Sequence, residues 1–176
     1  MLYTLLSGKI MEDVMNSDPI VDLFWRINRR FILMREITLF KMKNHLPVQD
    51  EVRENLLVNE VIKKARQEGL EEDWTRGFIL DLLTISRNIQ KTLRDTGGYG
   101  SQQDNASIQD FERVRNEVLE ITQEIVHYAR LCYSTLKDPK EIKNLKKMYE
   151  QALTMPLLTQ EDKAQFWNRL IKIRLK

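Results

Sequence analysis

The sequence predicts an all-α protein, and three observations carry that expectation. Only six glycines and four prolines occur in 176 residues, and they fall mostly between long patterned segments. Leu, Ile, Lys, Glu and Arg are abundant. Apolar residues recur at intervals of three and four over long stretches, the period of a helix with one buried face. A chain of this length fits one domain and can bury a substantial core, so a helical bundle is the expected architecture.

The first strong helix runs from about Pro19 to Asn44, with Asp18 as its N-cap and Leu23, Ile27, Phe31, Met34 and Ile37 along its apolar face. The connection Leu46-Pro47-Val48 interrupts it, because proline disfavours helical geometry in the residue before it. A second helix starts near Asp50 and ends at Gly69, a residue suited to closing a helix C-terminus. A third spans about Glu71 to Leu93 and carries Trp74, Phe78, Leu82, Ile85 and Ile89.

The clearest break follows, from Asp95 through Ala106, rich in Gly, Ser, Gln and Asn and read as a flexible connection. Its glycines follow no strand and match no phosphate-binding loop. A fourth long helix is expected from about Ser107 to Leu136, with Phe111, Val114, Val118, Ile121, Ile125 and Tyr128 on its apolar face and Asp138-Pro139 as its stop. Two shorter helices follow, at about 140–153 and 160–174, the last opened by a capping box at Thr159-Gln-Glu-Asp162. No internal repeat or sustained heptad seam is visible.

Composition narrows the functional classes. The formal net charge is +2 and the two signs interleave, with none of the basic stripe that nucleic-acid binding requires; the run KEIKNLKK reads as a solvated helix face. No nucleic-acid partner is expected. Cys132 is the single cysteine, which excludes an intrachain disulfide and a Cys-based metal cluster, and it sits on an apolar helix face as a small buried hydrophobe. His45 and His127 stand far apart without metal-ligand spacing, and both read as structural. No metal or other cofactor is expected.

No segment approaches the roughly 20 apolar residues of a membrane span. The N-terminus, MLYTLLSGKIMEDVM, has a short apolar run but no basic n-region or convincing h-region. As printed, the expectation is a cytoplasmic protein; an upstream start would make it periplasmic or exported.

The informative residues are polar groups on faces that ought to be apolar. Arg30 and Lys41 lie eleven residues apart, hence only ~20° apart around the helix and ~16 Å along it, with Met34 and Ile37 between them. On the third helix Phe78, Leu82, Ser86 and Gln90 follow at steps of four, so the last two continue an apolar stripe. Arg53 shares a face with Leu57 and Val61, and Glu54 with Val58 and Ile62. Each has an ordinary explanation alone: long stems can cover apolar surface while their heads reach water, a serine or glutamine can satisfy a nearby carbonyl, and Asp50 can be an N-cap. Together they favour a shared pocket, since an unpartnered buried cation costs several kcal/mol. Such a pocket suits anion binding and electrostatic stabilisation better than covalent catalysis.

The spacing also resembles the all-helical chorismate mutases. Arg30, Lys41 in LFKMKNHLPVQDEVRENLL, then Asp50, Arg53 and Glu54, and finally Ser86 and Gln90 in LLTISRNIQ follow that family's R-x10-K-x5-P-(V/I)-x-D-x2-R-E and Ser/Thr-x3-Gln/Glu pattern without a gap. The resemblance covers about residues 18–92. One element departs from it. In the short intertwined dimers of the family a first-helix arginine reaches the partner's site, and the position here is Asp13, with Lys9 one turn away. The exported gamma subclass takes that arginine from a helix after the mutase core. In Asp110-Phe-Glu-Arg-Val-Arg115 the resemblance favours Arg115, with Arg113 as second choice.

The resemblance implies a core over residues 1–94, a loop over 95–106, and a helical extension over 107–176 packing on the core as one structural domain. It implies an isomerase that rearranges chorismate to prephenate in aromatic amino-acid biosynthesis. Arg30 and Arg115 would clamp the two carboxylates, with Ser86 assisting and Arg53 nearby. Lys41 and Gln90 would donate to the ether oxygen, and Asp50 and Glu54 would hold the ring hydroxyl. The alternatives are an isochorismate-pyruvate lyase of the same fold and a non-catalytic ligand- or partner-binding helical protein. Each chain would build its own site, so a homodimer is compatible with this arrangement but not required by it.

Overall fold

The structure, a computed structural model, describes residues 18–97 and 107–176. Within these residues seven helices form the protein: α1 (Pro19–Lys43), α2 (Glu51–Gln67), α3 (Glu72–Asp95), α4 (Ile108–Leu131), α5 (Tyr133–Lys137), α6 (Ile142–Ala152) and α7 (Gln160–Leu170). Asp13, Lys9, the apolar N-terminal run and loop residues 98–106 lie outside the described residues. Among the described residues no helix is long and apolar enough to cross a membrane.

Local chemistry sets the helix ends. The Asp18 carboxylate accepts from the Ile20 amide at 3.1 Å, with Pro19 beside it in the first turn. After α2, Gly69 adopts φ +72°, and the Leu70 amide reaches back to the Ala65 carbonyl at 2.9 Å. That left-handed turn folds α3 back beside α2. Ser107 with Asp110 and Thr159 with Asp162 form reciprocal capping boxes at the starts of α4 and α7.

Helix α4 lies antiparallel on α1, as a ladder of cross-helix contacts records. Arg26 donates to Glu124 at 2.8 Å, Arg29 to Glu117 at 2.7 Å, and Phe40 stacks on Phe111 with centroids 4.1 Å apart. Helices α2 and α3 pack against the same pair, burying Leu57, Val61, Phe78, Leu82, Ile85 and Ile89. The N-terminal half of α1 is sealed by α6 and α7. Phe24 meets Tyr149 edge-on at 5.5 Å, and Phe166 contacts Phe31 at 6.1 Å and Phe78 at 5.1 Å. Asn28 fastens this end, its amide oxygen accepting from the Thr154 and Met155 backbone. One half of the bundle is thus filled with aromatic rings, and the other is left for polar groups.

Two expected boundaries shift. The fourth helix was expected to run unbroken to Leu136, but Cys132 adopts φ −84°, ψ 8° and divides α4 from α5. The turn lets both Cys132 and Leu136 be buried. The last helix was expected to reach residue 174 and stops at Leu170. Its remaining residues join the α2–α3 turn instead: Leu175 bridges Leu70, Arg174 accepts from the Glu71 amide, and Lys176 donates to the Gly69 carbonyl. Tertiary pairing there satisfies backbone groups that a longer helix would have used internally.

Candidate active site

At the open half of the bundle, the ends of α1 and α3, the starts of α2 and α4, and the α1–α2 connection enclose a cavity of ≈ 570 Å³, counting the space open to solvent. Its wall contains the polar residues that the sequence placed on inward faces, and the first-choice arginine of the extension: Arg30 and Lys41 from α1, Asp50, Arg53 and Glu54 from α2 and its cap, Ser86 and Gln90 from α3, and Arg115 from α4. Met34, Ile37, Leu57, Leu83 and Val118 supply the apolar remainder.

Arg30 is the deepest charge, at 1 % exposure. Its Nε donates to Thr122 Oγ1 at 2.9 Å and its Nη1 to Ser86 Oγ at 2.8 Å. No carboxylate among the described residues pairs with it, and burial pushes its guanidinium down to about 10. It therefore remains a cation at neutral pH, without a counterion from the described residues. Lys41 is 7 % exposed and uses one donor on the Val48 carbonyl at 2.5 Å, which leaves two more. Burial lowers its pKa, an effect that Asp50 and Glu54 partly oppose.

Gln90 is buried as well, yet its carboxamide is poorly satisfied. Among the described residues its Nε2 meets only the Met34 sulfur, at 4.0 Å, and its Oε1 has no partner. A buried unsatisfied amide costs about 1–3 kcal/mol, which a ligand in the cavity would offset. Ser86 differs, because its hydroxyl proton goes to the Leu82 carbonyl at 2.7 Å and its lone pair faces Arg30.

The carboxylates are held by arginines. Asp50 caps α2 through the Arg53 amide at 3.1 Å and takes the Arg115 guanidinium on its other oxygen. Burial alone would raise the Asp50 carboxyl, but the Arg53 amide and Arg115 outweigh it and hold the group below its usual range. Arg115 also contacts Glu112 at 3.2 Å and lies over the Phe111 ring, 5.0 Å from its centroid. Arg113 does not line the cavity; it points outward to Glu117 at 3.7 Å. Arg53 reaches the Asn116 side chain at 3.1 Å.

Three contributors were not singled out in the sequence. Arg87 grips both oxygens of Glu54, at 3.1 and 2.6 Å, and its position carried a signal. Glu54 and Arg87 lie at nearly equal distances on either side of the Gly69 turn, where antiparallel neighbours meet. Thr122 had no comparable signal, since the register of α4 on α1 depends on tertiary packing. The Val48 carbonyl was equally hidden, because a backbone acceptor leaves no mark in residue type. Elsewhere, Arg94 continues the Ser86–Gln90 row and donates to the Leu46 carbonyl, tethering the α1–α2 connection.

Five cationic side chains line the cavity against two carboxylates, a surplus suited to a small dianion. The sequence pattern of the family described as chorismate mutase type II matches residues 20–91. That segment is less than half of the chain, and over it the sequence is similar to the chorismate mutase type II family. A monofunctional chorismate mutase of Enterobacter agglomerans is 25 % identical over 149 residues, 84 % of this chain and 80 % of the relative. A secreted chorismate mutase of Yersinia pestis is 26 % identical over 68 residues, covering 39 % of this chain and 37 % of the relative.

The fold is shared with solved structures over most of their length. The crystal structure of the secreted chorismate mutase from Yersinia pestis superposes with a TM-score of 0.76 at 20 % identity, covering 88 % of this chain and 97 % of that one. A chorismate mutase from Burkholderia thailandensis gives 0.69 at 19 % identity, covering 88 % and 98 %. That coverage is wider than the segment 20–91 that the family pattern matches, which ends before α4 begins.

Proposed function

We propose that this protein is a chorismate mutase, an isomerase that converts chorismate to prephenate by an intramolecular Claisen rearrangement, and that the residues of this cavity carry the reaction. The observation that carries the reading is Arg30: a fully buried cation, in contact with two hydroxyls and with no carboxylate among the described residues, on the wall of the cavity that the other polar groups share. A carboxylate of the substrate supplies the missing counterion, and the planar guanidinium suits it.

The substrate is a dianion whose enolpyruvyl arm must fold over its ring before the bonds rearrange. Arg30 binds one carboxylate and Arg115 the other, restricting the substrate to reactive conformers. Lys41 and Gln90 aim donors at the ether oxygen, where negative charge develops as its bond to the ring breaks. Such donors act mainly in the transition state, and removing one costs on the order of 3–4 kcal/mol of barrier. Asp50 and Glu54, oriented by Arg115 and Arg87, receive the ring hydroxyl. No covalent intermediate is required. In this reading residues 1–94 form the mutase core and 107–176 an extension that completes the site, so each chain works alone. The secreted relative supports export over a cytoplasmic location, tested by fractionation against markers of both compartments.

The test is to supply purified protein with chorismate and follow its conversion to prephenate. A parallel incubation with isochorismate, assayed for pyruvate and salicylate, separates the mutase from a lyase built on the same carboxylate clamps. Prephenate from chorismate is the expected result. Pyruvate release alone, or a folded helical protein with no turnover of either substrate, would refute the mutase reading.

A further inference from the structure

The hydroxyls that hold Arg30 are locked by their own helices. Thr122 Oγ1 donates to the Val118 carbonyl at 2.5 Å, and Ser86 Oγ donates to the Leu82 carbonyl at 2.7 Å. Each hydroxyl has a single proton, and in both it is committed one turn back along the helix. Only lone pairs remain toward Arg30, so neither hydroxyl can turn a proton toward the cation without breaking its own bond. The two come from different helices, α3 and α4, and grip α1's guanidinium at Nη1 and Nε. Nη2 is left with no protein acceptor among the described residues, on a side chain that lines the cavity.

We infer that Thr122 is a positioning residue for substrate binding: with Ser86 it forms a two-hydroxyl clip that fixes the plane of the Arg30 guanidinium and leaves its free N–H groups for the substrate carboxylate. The inference rests on the mutase reading for the identity of that carboxylate. Thr122 is fully buried and lies on α4, outside residues 20–91, so the family pattern carries no information about it. The extension helix therefore contributes twice, with a charge at Arg115 and with the acceptor that aims Arg30. An arginine held by one hydroxyl would still be a buried cation, but its planar fork could rotate about the remaining bond and lose bidentate geometry.

The experiment compares Thr122→Val, which keeps the shape and removes the acceptor, with Thr122→Ser, which keeps the acceptor. Steady-state kinetics with chorismate should show KM raised about tenfold in Thr122→Val, the scale of one lost hydrogen bond to a charged group, with kcat changed much less. Thr122→Ser should restore KM to within about twofold. A second readout needs no turnover: the Arg30 Nε–H signal in a nitrogen–proton NMR spectrum, assigned by its loss in Arg30→Lys. It should be protected from solvent exchange in the parent and Thr122→Ser, and lose protection in Thr122→Val.

Should Thr122→Val not fold, Thr122→Cys, small but a poor acceptor, takes its place with the same expectation. Parent-like KM and a protected signal in the acceptor-less variant would overturn the clip, as would equal damage from the serine variant. A parent inactive on chorismate would count against the mutase reading, while the Nε–H signal still decides whether Thr122 holds Arg30.

Discussion

Helices α1 to α3 carry their site residues within apolar stripes, whereas α4 brings Arg115 and Thr122 to the cavity through its packing on α1 and α2. In the first group the sequence spacing alone aligns the groups: Arg30 with Lys41, and Ser86 with Gln90. In the second, alignment rests on a tertiary register set by Phe40 stacked on Phe111 and by the Arg26–Glu124 and Arg29–Glu117 ion pairs. The difference is one of physics: intrahelical spacing is fixed by backbone geometry, while interhelical register is fixed only once the core forms. A site can thus have half its groups specified locally and half by the fold.

The largest effect should come from the first group. Lys41→Ala is expected to lower kcat by two to three orders of magnitude, about 3–4 kcal/mol of barrier, with little change in KM. Equal loss in KM with kcat preserved would assign Lys41 to ground-state binding instead. Arg30→Ala should damage both constants and strand the Ser86 and Thr122 lone pairs, so its thermal midpoint should fall as well. An Arg30→Ala protein of parental activity would remove α1's claim to the carboxylate.

Smaller effects concern protonation. Gln90 is a neutral donor, so the parent should show no loss of activity with rising pH traceable to that position. Gln90→Glu should make turnover depend on a protonated carboxyl, so activity should decline as pH rises; a flat profile in that variant would separate Gln90 from the reacting oxygen. The smallest change should come from Asp50, which links the two groups through Arg115. Its carboxyl is held below the usual range, so its stabilising contribution is complete above the unfolded-state value near ~4 and is lost as pH falls through the folded-state value. Urea titrations across the acid range should show a shallower acid loss in Asp50→Asn than in the parent. Identical acid limbs would mean that the Asp50–Arg115 contact adds nothing to stability.

The same contrast explains what could be read from the sequence. The all-helical fold was legible because few glycines or prolines interrupt the 3.6-residue periodicity, and the caps at Asp18, Asp50, Ser107 and Thr159 announce themselves by residue type. The inward row from Arg30 to Gln90 was legible for the same reason. Arg87 was overlooked although the symmetry of the α2–α3 turn pointed to it. Thr122 and the Val48 carbonyl were not legible: one depends on how α4 seats against α1, and the other is backbone. The early end of α7 at Leu170 has the same origin, since its last residues are claimed by a distant turn. Arg115 stood between these cases, favoured by a resemblance and placed on the cavity wall by the packing of α4.

The central claim is that the extension helix completes a mutase site begun by the first three helices. Its most direct measurement is chorismate consumption by the parent, Arg115→Ala and Arg113→Ala side by side, with helical spectra to show that all three fold. The account predicts prephenate formation by the parent, kcat/KM reduced at least tenfold in Arg115→Ala, and a near-parental value in Arg113→Ala, whose side chain points away to Glu117. An active Arg115→Ala beside a crippled Arg113→Ala, or a folded parent that leaves chorismate untouched, would contradict it.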